Sequence, residues 1–216
     1  MDSDIQNVRK DYRKRGLLKQ DLPDNPIQLL EKWLDEASST DPTDYNAMCL
    51  STSNEAGQPD SRIVLLRSVT EMGIRFFTNY HSKKGRDIEG NPNVSVNLFW
   101  KEWERQIRIE GFAARCSEKE SDLYFASRPR ASQEGAWTSK QSSANVSPSI
   151  EKRLESTALR FKEKTEIPRP DFWGGYDIAI KQIEFWQGRP SRLHNRWRFT
   201  LIDKNECSWK IEQLDP

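Results

Sequence analysis

Three polar side chains near the end of the chain have the types and the spacing to do chemistry. Arg192, His194 and Arg196 alternate with other residues, and on an extended segment this alternation places all three on one face. Two cations and an imidazole repel one another unless a planar, anionic ligand lies opposite them. A solvated edge strand is the alternative, but the neighbouring Phe185-Trp186 pair is bulkier than exposed edges usually carry. The segment is therefore a candidate ligand site.

Two further groups of side chains suit phosphate. Ser82 has the position of a helix N-cap, and Lys83 and Lys84 follow it, so a bound anion would explain two lysines at a helix start. A solvated charge run explains them equally well. Arg62 joins this first group, while the second group combines guanidiniums with hydroxyls and consists of Arg67, Tyr124, Arg128 and Ser132. Two phosphate sites beside aromatic and amide groups indicate two phosphorylated planar ligands, a cofactor and a substrate.

The elements that must position these groups predict an α+β fold. Asn25-Pro26 begins a helix with an apolar stripe, and Ser117 with Glu120 predicts a capping box. From Ala47 onward, period-two runs predict short strands in quick succession, one of them over residues 61–69. Such a meander closes into a barrel or a sandwich. We expect a mostly antiparallel barrel with peripheral helices.

The second half of the chain continues this alternation of elements. Residues 135–145 form a loop or a short helix, and a longer helix follows residues 147–148. Its predicted buried stripe consists of Ile150, Leu154, Ala158 and Phe161. The last predicted strands cover residues 176–180, 183–186, 196–202 and 209–214.

The length of 216 residues favours one domain. Residues 1–20 are densely charged, which predicts a mobile N-terminal arm, and residues 21–216 form the single folded domain. The functional alternative for the arm is a lid, in which Arg9 and Tyr12 close over an anionic ligand.

Composition excludes several classes of protein. The 34 basic and 33 acidic side chains nearly cancel, so no global field recruits nucleic acid or a membrane surface. No apolar run has the length of a membrane span, and the first twenty residues lack the apolar segment of a signal peptide. Cys49, Cys116 and Cys207 are odd in number and far apart, which favours free thiols in the cytoplasm. With two histidines and no ligand spacing typical of zinc, we expect no metal site.

Several motifs together resemble the pyridoxamine 5′-phosphate oxidase family. They lie at residues 183–188 (IEFWQG), 192–196 (RLHNR), 62–66 (RIVLL), 127–130 (SRPR), 135–137 (GAW) and 172–175 (FWGG). The similarity spans nearly the whole chain. It implies a split β-barrel that binds FMN at a homodimer interface, and oxidation of pyridoxamine or pyridoxine 5′-phosphate to pyridoxal 5′-phosphate. In such a reaction O₂ reoxidises the flavin and H₂O₂ is released.

The resemblance also implies a role for each matching residue. Arg192 and His194 would act on the substrate ring as catalytic residues. Further substrate contacts would come from Arg9, Tyr12, Arg67, Tyr124, Arg128, Ser132 and Leu193. The cofactor would be bound by Arg62, Ile63, Val64, Leu65, Leu66, Arg67, Phe77, Thr78, Ser82, Lys83, Lys84, Gln106, Gln141, Ser142, Trp186 and Arg196. No metal is implied.

Three residues depart from the common pattern of the family. Arg67 stands where many relatives have lysine, Lys83 where arginine is common, and Phe77 where tyrosine is common. The first change preserves charge but alters geometry at the substrate phosphate, and the other two concern flavin affinity. A non-catalytic flavin or pyridoxal-phosphate binding protein on the same barrel is the rival hypothesis; the presence of both Arg192 and His194 favours the enzyme.

Overall fold

Local sequence signals set the first helix. A computed structural model describes residues 11–14, 16–144 and 148–216. In it the side chain of Asn25 accepts a hydrogen bond from the Ile27 amide at 3.0 Å, and Pro26 occupies the first helical position. Leu30, Trp33 and Leu34 are buried, so the predicted stripe of this helix is confirmed.

The described residues contain five α-helices and nine strands. The helices are α1 (Pro26–Ser38), α2 (Lys83–Gly90), α3 (Glu118–Ser127), α4 (Arg130–Thr138) and α5 (Ile150–Phe161), with 3₁₀ turns at Lys19–Asp21 and Pro190–Arg192. The strands are β1 (Ala47–Ser53), β2 (Pro59–Leu65), β3 (Ser68–Thr70), β4 (Gly73–Asn79), β5 (Asn93–Trp100), β6 (Arg105–Arg115), β7 (Trp173–Gln187), β8 (Asn195–Asp203) and β9 (Ser208–Leu214). The sheet order is β2-β1-β5-β6-β7-β4-β3, with β8 paired to β7 and β9 paired to β8. The pairs β3/β4, β4/β7, β7/β8 and β8/β9 are antiparallel.

The chain divides into two compact units. The first comprises the described residues up to Met48, together with Val96–Glu110 and Ile180–Pro216. Its core includes Phe185, which packs edge-to-face on both Trp33 and Phe199 at centroid distances of 5.3 and 5.7 Å. The amides of Arg13 and Lys14 donate to the Glu104 carboxylate at 2.9 and 3.1 Å, which attaches this part of the predicted arm.

The second unit comprises Cys49–Ser95 and Gly111–Ala179. Its core cluster consists of Phe125, Phe161, Ile167 and Trp173. Ser117 and Glu120 form the predicted capping box of α3. This helix ends before Pro129, as expected, and α4 begins directly after that proline, so the helix there is longer and earlier than the sequence indicates.

Three predictions about elements are wrong. Residues 61–69 do not form one strand, because the chain leaves β2, the neighbour of β1, and enters β3, which pairs with β4. Residues 176–180 and 183–186 belong to one strand, β7, which pairs with β4 and then with β8 without a break. The stripe of α5 is largely exposed, with Ile150 at 42% and Leu154 at 44%, and only Phe161 is buried. Only the C-terminal turn of α5 reaches the core cluster.

Candidate active site

The second unit contains a cavity of about 860 Å³, a size typical of small-molecule sites. Many of the predicted ligand contacts line it: Arg62, Ile63, Val64, Leu65, Arg67, Phe77, Thr78, Lys83, Lys84, Tyr124, Arg128, Ser132, Gln141 and Ser142. Asp60, Arg86 and Trp173 are also among its lining residues. The structure therefore brings side chains of both predicted phosphate-binding groups to one cavity.

Lys84 is the buried cation of the first group. Ser82 caps α2 by accepting from the Gly85 amide, so the helix places Lys84 in its first turn. The Lys84 ammonium donates to the side-chain oxygens of Thr78 at 3.1 Å, Ser82 at 3.3 Å and Gln141 at 3.3 Å. All three acceptors are neutral. Burial, together with the nearby charge of Arg62, lowers the pKa of Lys84 from its ordinary 10.5 to about 8.

Arg62 and Lys83 differ from Lys84 because carboxylates lie beside them. Arg62 Nη1 donates to the Leu50 carbonyl at 3.2 Å and to Thr52 Oγ1 at 2.8 Å. Its Nη2 lies 2.9 Å from Asp60 Oδ2 but has no aligned hydrogen-bond acceptor among the described residues. Lys83 Nζ lies 3.0 Å from Oδ2 of both Asp60 and Asp87.

Asp60 and Asp87 were missed by sequence reasoning. Asp87 is buried and also accepts from Thr52 Oγ1 at 2.8 Å. It is four residues beyond Lys83 on α2, a spacing that favours a helical ion pair. That spacing was the one signal for Asp87 available in the sequence. The contact between Arg62 and Thr52 depends instead on the pairing of β2 with β1.

Arg67 and Arg128 form a second cationic group in the same cavity. Within the part of the chain that the structure describes, neither has an ion pair, and the buried Nη1 of Arg128 has no hydrogen-bond partner. The Arg128 guanidinium lies over the Trp173 ring at 4.6 Å. Burial lowers the pKa of Arg128, and the charge of Arg67 contributes to the same effect. An anion between these groups would satisfy both.

Stacked aromatic rings form a wall beside this second group. Phe77 and Tyr124 stack at 3.9 Å, and Tyr124 lies parallel to Trp173 at 6.2 Å. Arg67 lies 5.9 Å from the centre of the Tyr124 ring. Buried Gln133, a residue that sequence reasoning missed, donates to the carbonyls of Phe125, Ala126 and Arg128. It therefore fixes the end of α3 from which Arg128 projects.

The first unit holds the other predicted site residues. His194 packs against Trp186 at 4.6 Å, and Tyr12 meets both rings edge-on, at 5.6 and 5.5 Å. His194 Nδ1 accepts a hydrogen bond from the Arg189 amide at 3.1 Å, which leaves Nε2 as the protonated nitrogen of the neutral ring. Burial, followed by the charge of Arg192, lowers the pKa of His194. The imidazole is thus a neutral donor near pH 7.

The sequence would place Arg192, His194 and Arg196 on one face only if this segment were extended, and it is not extended throughout. Pro190–Arg192 is a 3₁₀ turn, and Ser191 and Arg192 have φ angles of 56° and 62°. The strand β8 starts only at Asn195. Arg192 and Leu193 are therefore exposed on a tight turn.

Arg196 is held by a carboxylate that the sequence did not single out. Its Nε and Nη2 donate to Glu184 at 2.8 and 3.2 Å, and its Nη1 donates to the Asp215 carbonyl at 2.8 Å. Glu184 is buried, and Arg108 lies 3.3 Å from it. This carboxylate raises the pKa of Arg196. Half-buried Gln106 is two residues before Arg108 on β6, so the two share one face of that strand.

Other predicted residues have plain positions. Leu66 and Ser82 are buried, and Arg9 lies outside the described residues. Within the described ranges no cluster of histidine, cysteine and acidic side chains could hold a metal ion. None of the helices in those ranges is long and apolar enough to cross a membrane.

A mostly antiparallel sheet with two cationic groups in one cavity has the features of a site for phosphorylated small molecules. Comparison with known proteins identifies the family. Residues 34–161 match the model for pyridoxamine 5′-phosphate oxidase, and residues 173–216 match the pyridoxine 5′-phosphate oxidase C-terminal dimerisation region. The chain belongs to the pyridoxamine 5′-phosphate oxidase family, as the sequence motifs predict.

Individual relatives agree with this assignment. A pyridoxine/pyridoxamine 5′-phosphate oxidase of Mannheimia succiniciproducens is 47% identical over 213 residues, covering 99% of both chains. One from Crocosphaera subtropica is 44% identical and covers 99% of this chain and 100% of its own. Among solved structures, PhzG from Burkholderia lata has a TM-score of 0.83 at 31% identity, covering 93% of this chain and 98% of its own. The predicted α+β split barrel with peripheral helices is confirmed.

A more distant structure shows the same fold. It is a pyridoxamine 5′-phosphate oxidase-related, FMN-binding protein from Nostoc punctiforme, with a TM-score of 0.69 at 16% identity. It covers 88% of this chain and 96% of its own.

Proposed function

We propose that this chain is an FMN-dependent oxidase that converts pyridoxamine or pyridoxine 5′-phosphate to pyridoxal 5′-phosphate. O₂ takes up the two electrons and leaves as H₂O₂, and the amine substrate also consumes water and releases ammonia. One observation carries the proposal. A single cavity is lined by three cations that have no carboxylate partner among the described residues, Lys84 in the first group and Arg67 with Arg128 in the second. Two phosphorylated ligands would neutralise both.

The first group fits the phosphate of FMN. The Lys84 ammonium has no anionic acceptor, and Nη2 of Arg62 has no hydrogen bond among the described residues. Lys83 and Ser142 line the same cavity. The other proposed cofactor contacts are Ile63, Val64, Leu65, Leu66, Arg67, Phe77, Thr78, Ser82, Gln106, Gln141, Trp186 and Arg196. When bound, FMN would supply the acceptor for a hydride from the substrate C4′ carbon and the means of passing the electrons to O₂.

The second group fits the phosphate of the substrate. Arg67 and Arg128 supply the charge, Tyr124 and Ser132 supply hydroxyls, and Arg128 is pre-oriented by its contact with Trp173. Each charge-assisted hydrogen bond contributes about 1.5–3 kcal/mol.

Arg192 and His194 are the proposed catalytic residues. Because His194 Nδ1 is occupied by the Arg189 amide, Nε2–H donates to the substrate, and His194 orients it rather than acting as a strong base. Arg192, exposed on its turn, would orient the substrate ring and stabilise it electrostatically. Leu193, Tyr12 and Arg9 complete the proposed substrate contacts, and residues 1–20 would serve as the arm that closes over them.

We also propose a homodimer with FMN at its interface. The match of residues 173–216 to a dimerisation region supports self-association.

Anaerobic flavin reduction tests the proposed function. The protein is loaded with FMN, and pyridoxamine 5′-phosphate is added without O₂. We expect the yellow colour to bleach and to return when air is admitted. Persistent yellow colour would refute the oxidase and favour a non-catalytic binding protein.

A further inference from the structure

Asp60 places a negative charge among the cations proposed for the FMN phosphate. Its Oδ2 lies 2.9 Å from Arg62 Nη2 and 3.0 Å from Lys83 Nζ, and Asp60 lines the cavity itself. We propose that Asp60 competes with phosphate, because its ion pairs with Arg62 and Lys83 lower the affinity of the site for a phosphorylated ligand. The inference rests on the proposed function.

The contacts of Asp60 can be replaced by a better acceptor. The Asp60 side chain is 38% exposed, and ion pairs at such positions are weak and screened by salt. Arg62 Nη2 is close to the carboxylate yet lacks an aligned hydrogen bond. A phosphate has oxygens on several sides and can align with both Nη2 and the Lys83 ammonium.

The cations do not need Asp60 to hold their positions. Arg62 is fixed through Nη1 by the Leu50 carbonyl and by Thr52. Lys83 is fixed by buried Asp87, which Thr52 also contacts. Asp87 is therefore the carboxylate that supports the site, and Asp60 is the carboxylate that competes for it.

The charges of this cluster point in the same direction. Arg62 and Lys83 pair with Asp60 and Asp87, and Lys84 adds a third cation, so the cluster carries a net charge of about +1 near pH 7. A phosphate monoester carries a charge of about −1.5 to −2 near pH 7. Removing the Asp60 charge would match the cluster to that ligand.

The test compares FMN with riboflavin, which has the same ring system and no phosphate. Binding to wild type and Asp60→Asn is followed by quenching of flavin fluorescence. For Asp60→Asn we expect the Kd of FMN to fall about three- to tenfold at low salt, since two exposed ion pairs are removed. The Kd of riboflavin stays unchanged, and high salt reduces the difference for FMN.

Glu71→Gln is the matched control. Glu71 is an exposed acidic residue of the same unit and forms no ion pair with another described residue, so its neutralisation changes net charge alone and leaves the Kd of FMN unchanged. Unchanged or weaker FMN binding by Asp60→Asn would overturn the inference while leaving the proposed function intact. An equal gain for riboflavin would overturn it too. If wild type bound no FMN, the proposed function itself would fail.

Discussion

Raising the pH from 7 to 9 weakens FMN binding, because phosphate binding and the protonation of Lys84 are linked. In the ligand-free protein the pKa of Lys84 is lowered to about 8, since its acceptors on Thr78, Ser82 and Gln141 are neutral. A phosphate dianion beside the ammonium favours the charged form and raises that pKa again. FMN binding at pH 9 must therefore take up a proton.

The magnitude follows from the two protonation equilibria. With a pKa of about 8, roughly nine-tenths of Lys84 is protonated at pH 7 and about one-tenth at pH 9. If the bound phosphate restores the ordinary value of 10.5, Lys84 stays charged in the complex throughout. The Kd of FMN then rises about tenfold between pH 7 and pH 9, or about 1.4 kcal/mol.

Fluorescence titrations across this pH range measure the effect. The phosphate itself is fully ionised above pH 7.5, because its second pKa is about 6. Riboflavin binding should change much less, and Lys84→Met should bind FMN weakly with no rise in Kd around pH 8. A constant Kd for wild type from pH 7 to pH 9 would refute the role given to Lys84.

Three further predictions concern single side chains. Lys84→Met raises the free energy of unfolding of the ligand-free protein by about 1–3 kcal/mol, measured by urea unfolding at pH 7. The pKa of Lys84 is lower in the folded protein than in the unfolded chain, so its charge costs stability below pH 8. That cost disappears as the pH rises towards 10.5. A less stable variant would contradict this. Arg128→Gln raises the KM for pyridoxamine 5′-phosphate about ten- to a hundredfold and leaves the Kd of FMN unchanged. Loss of FMN binding by this variant would show that Arg128 is wrongly assigned to the substrate phosphate. Glu184→Gln weakens FMN binding and lowers the free energy of unfolding by about 3 kcal/mol, since it leaves Arg196 without its carboxylate. Glu212→Gln is the control: it breaks the more exposed pair with Arg198 and has little effect on either quantity.

Features encoded within a few residues could be predicted from the sequence. The Asn25-Pro26 start of α1, the Ser82 cap of α2 and the Ser117 capping box all depend on neighbours along the chain. The family motifs added the split barrel, which the comparisons confirm.

Features that depend on distant partners could not be predicted. The break between β2 and β3 and the continuity of β7 follow from which strands pair with them, and period-two patterns do not contain that information. The left-handed turn at Ser191 and Arg192 removes an alternation that the sequence alone favours.

The supporting carboxylates were missed for the same reason. Glu184 resembles any polar residue of an alternating strand until Arg196 is placed opposite it. Asp60 gains its meaning only from Arg62 and Lys83. Sequence spacing identified the cations. The fold was required to distinguish those paired with a carboxylate from those with no carboxylate partner among the described residues.

We propose that one cavity binds both FMN and a phosphorylated substrate for hydride transfer. The most direct measurement is the rate of anaerobic reduction of the FMN-loaded protein by pyridoxamine 5′-phosphate and by pyridoxamine at equal concentration. We predict rapid bleaching with the phosphorylated compound and much slower bleaching without phosphate, because Arg67 and Arg128 then have no anion to hold. Equal rates, or no bleaching with either compound, would contradict the account.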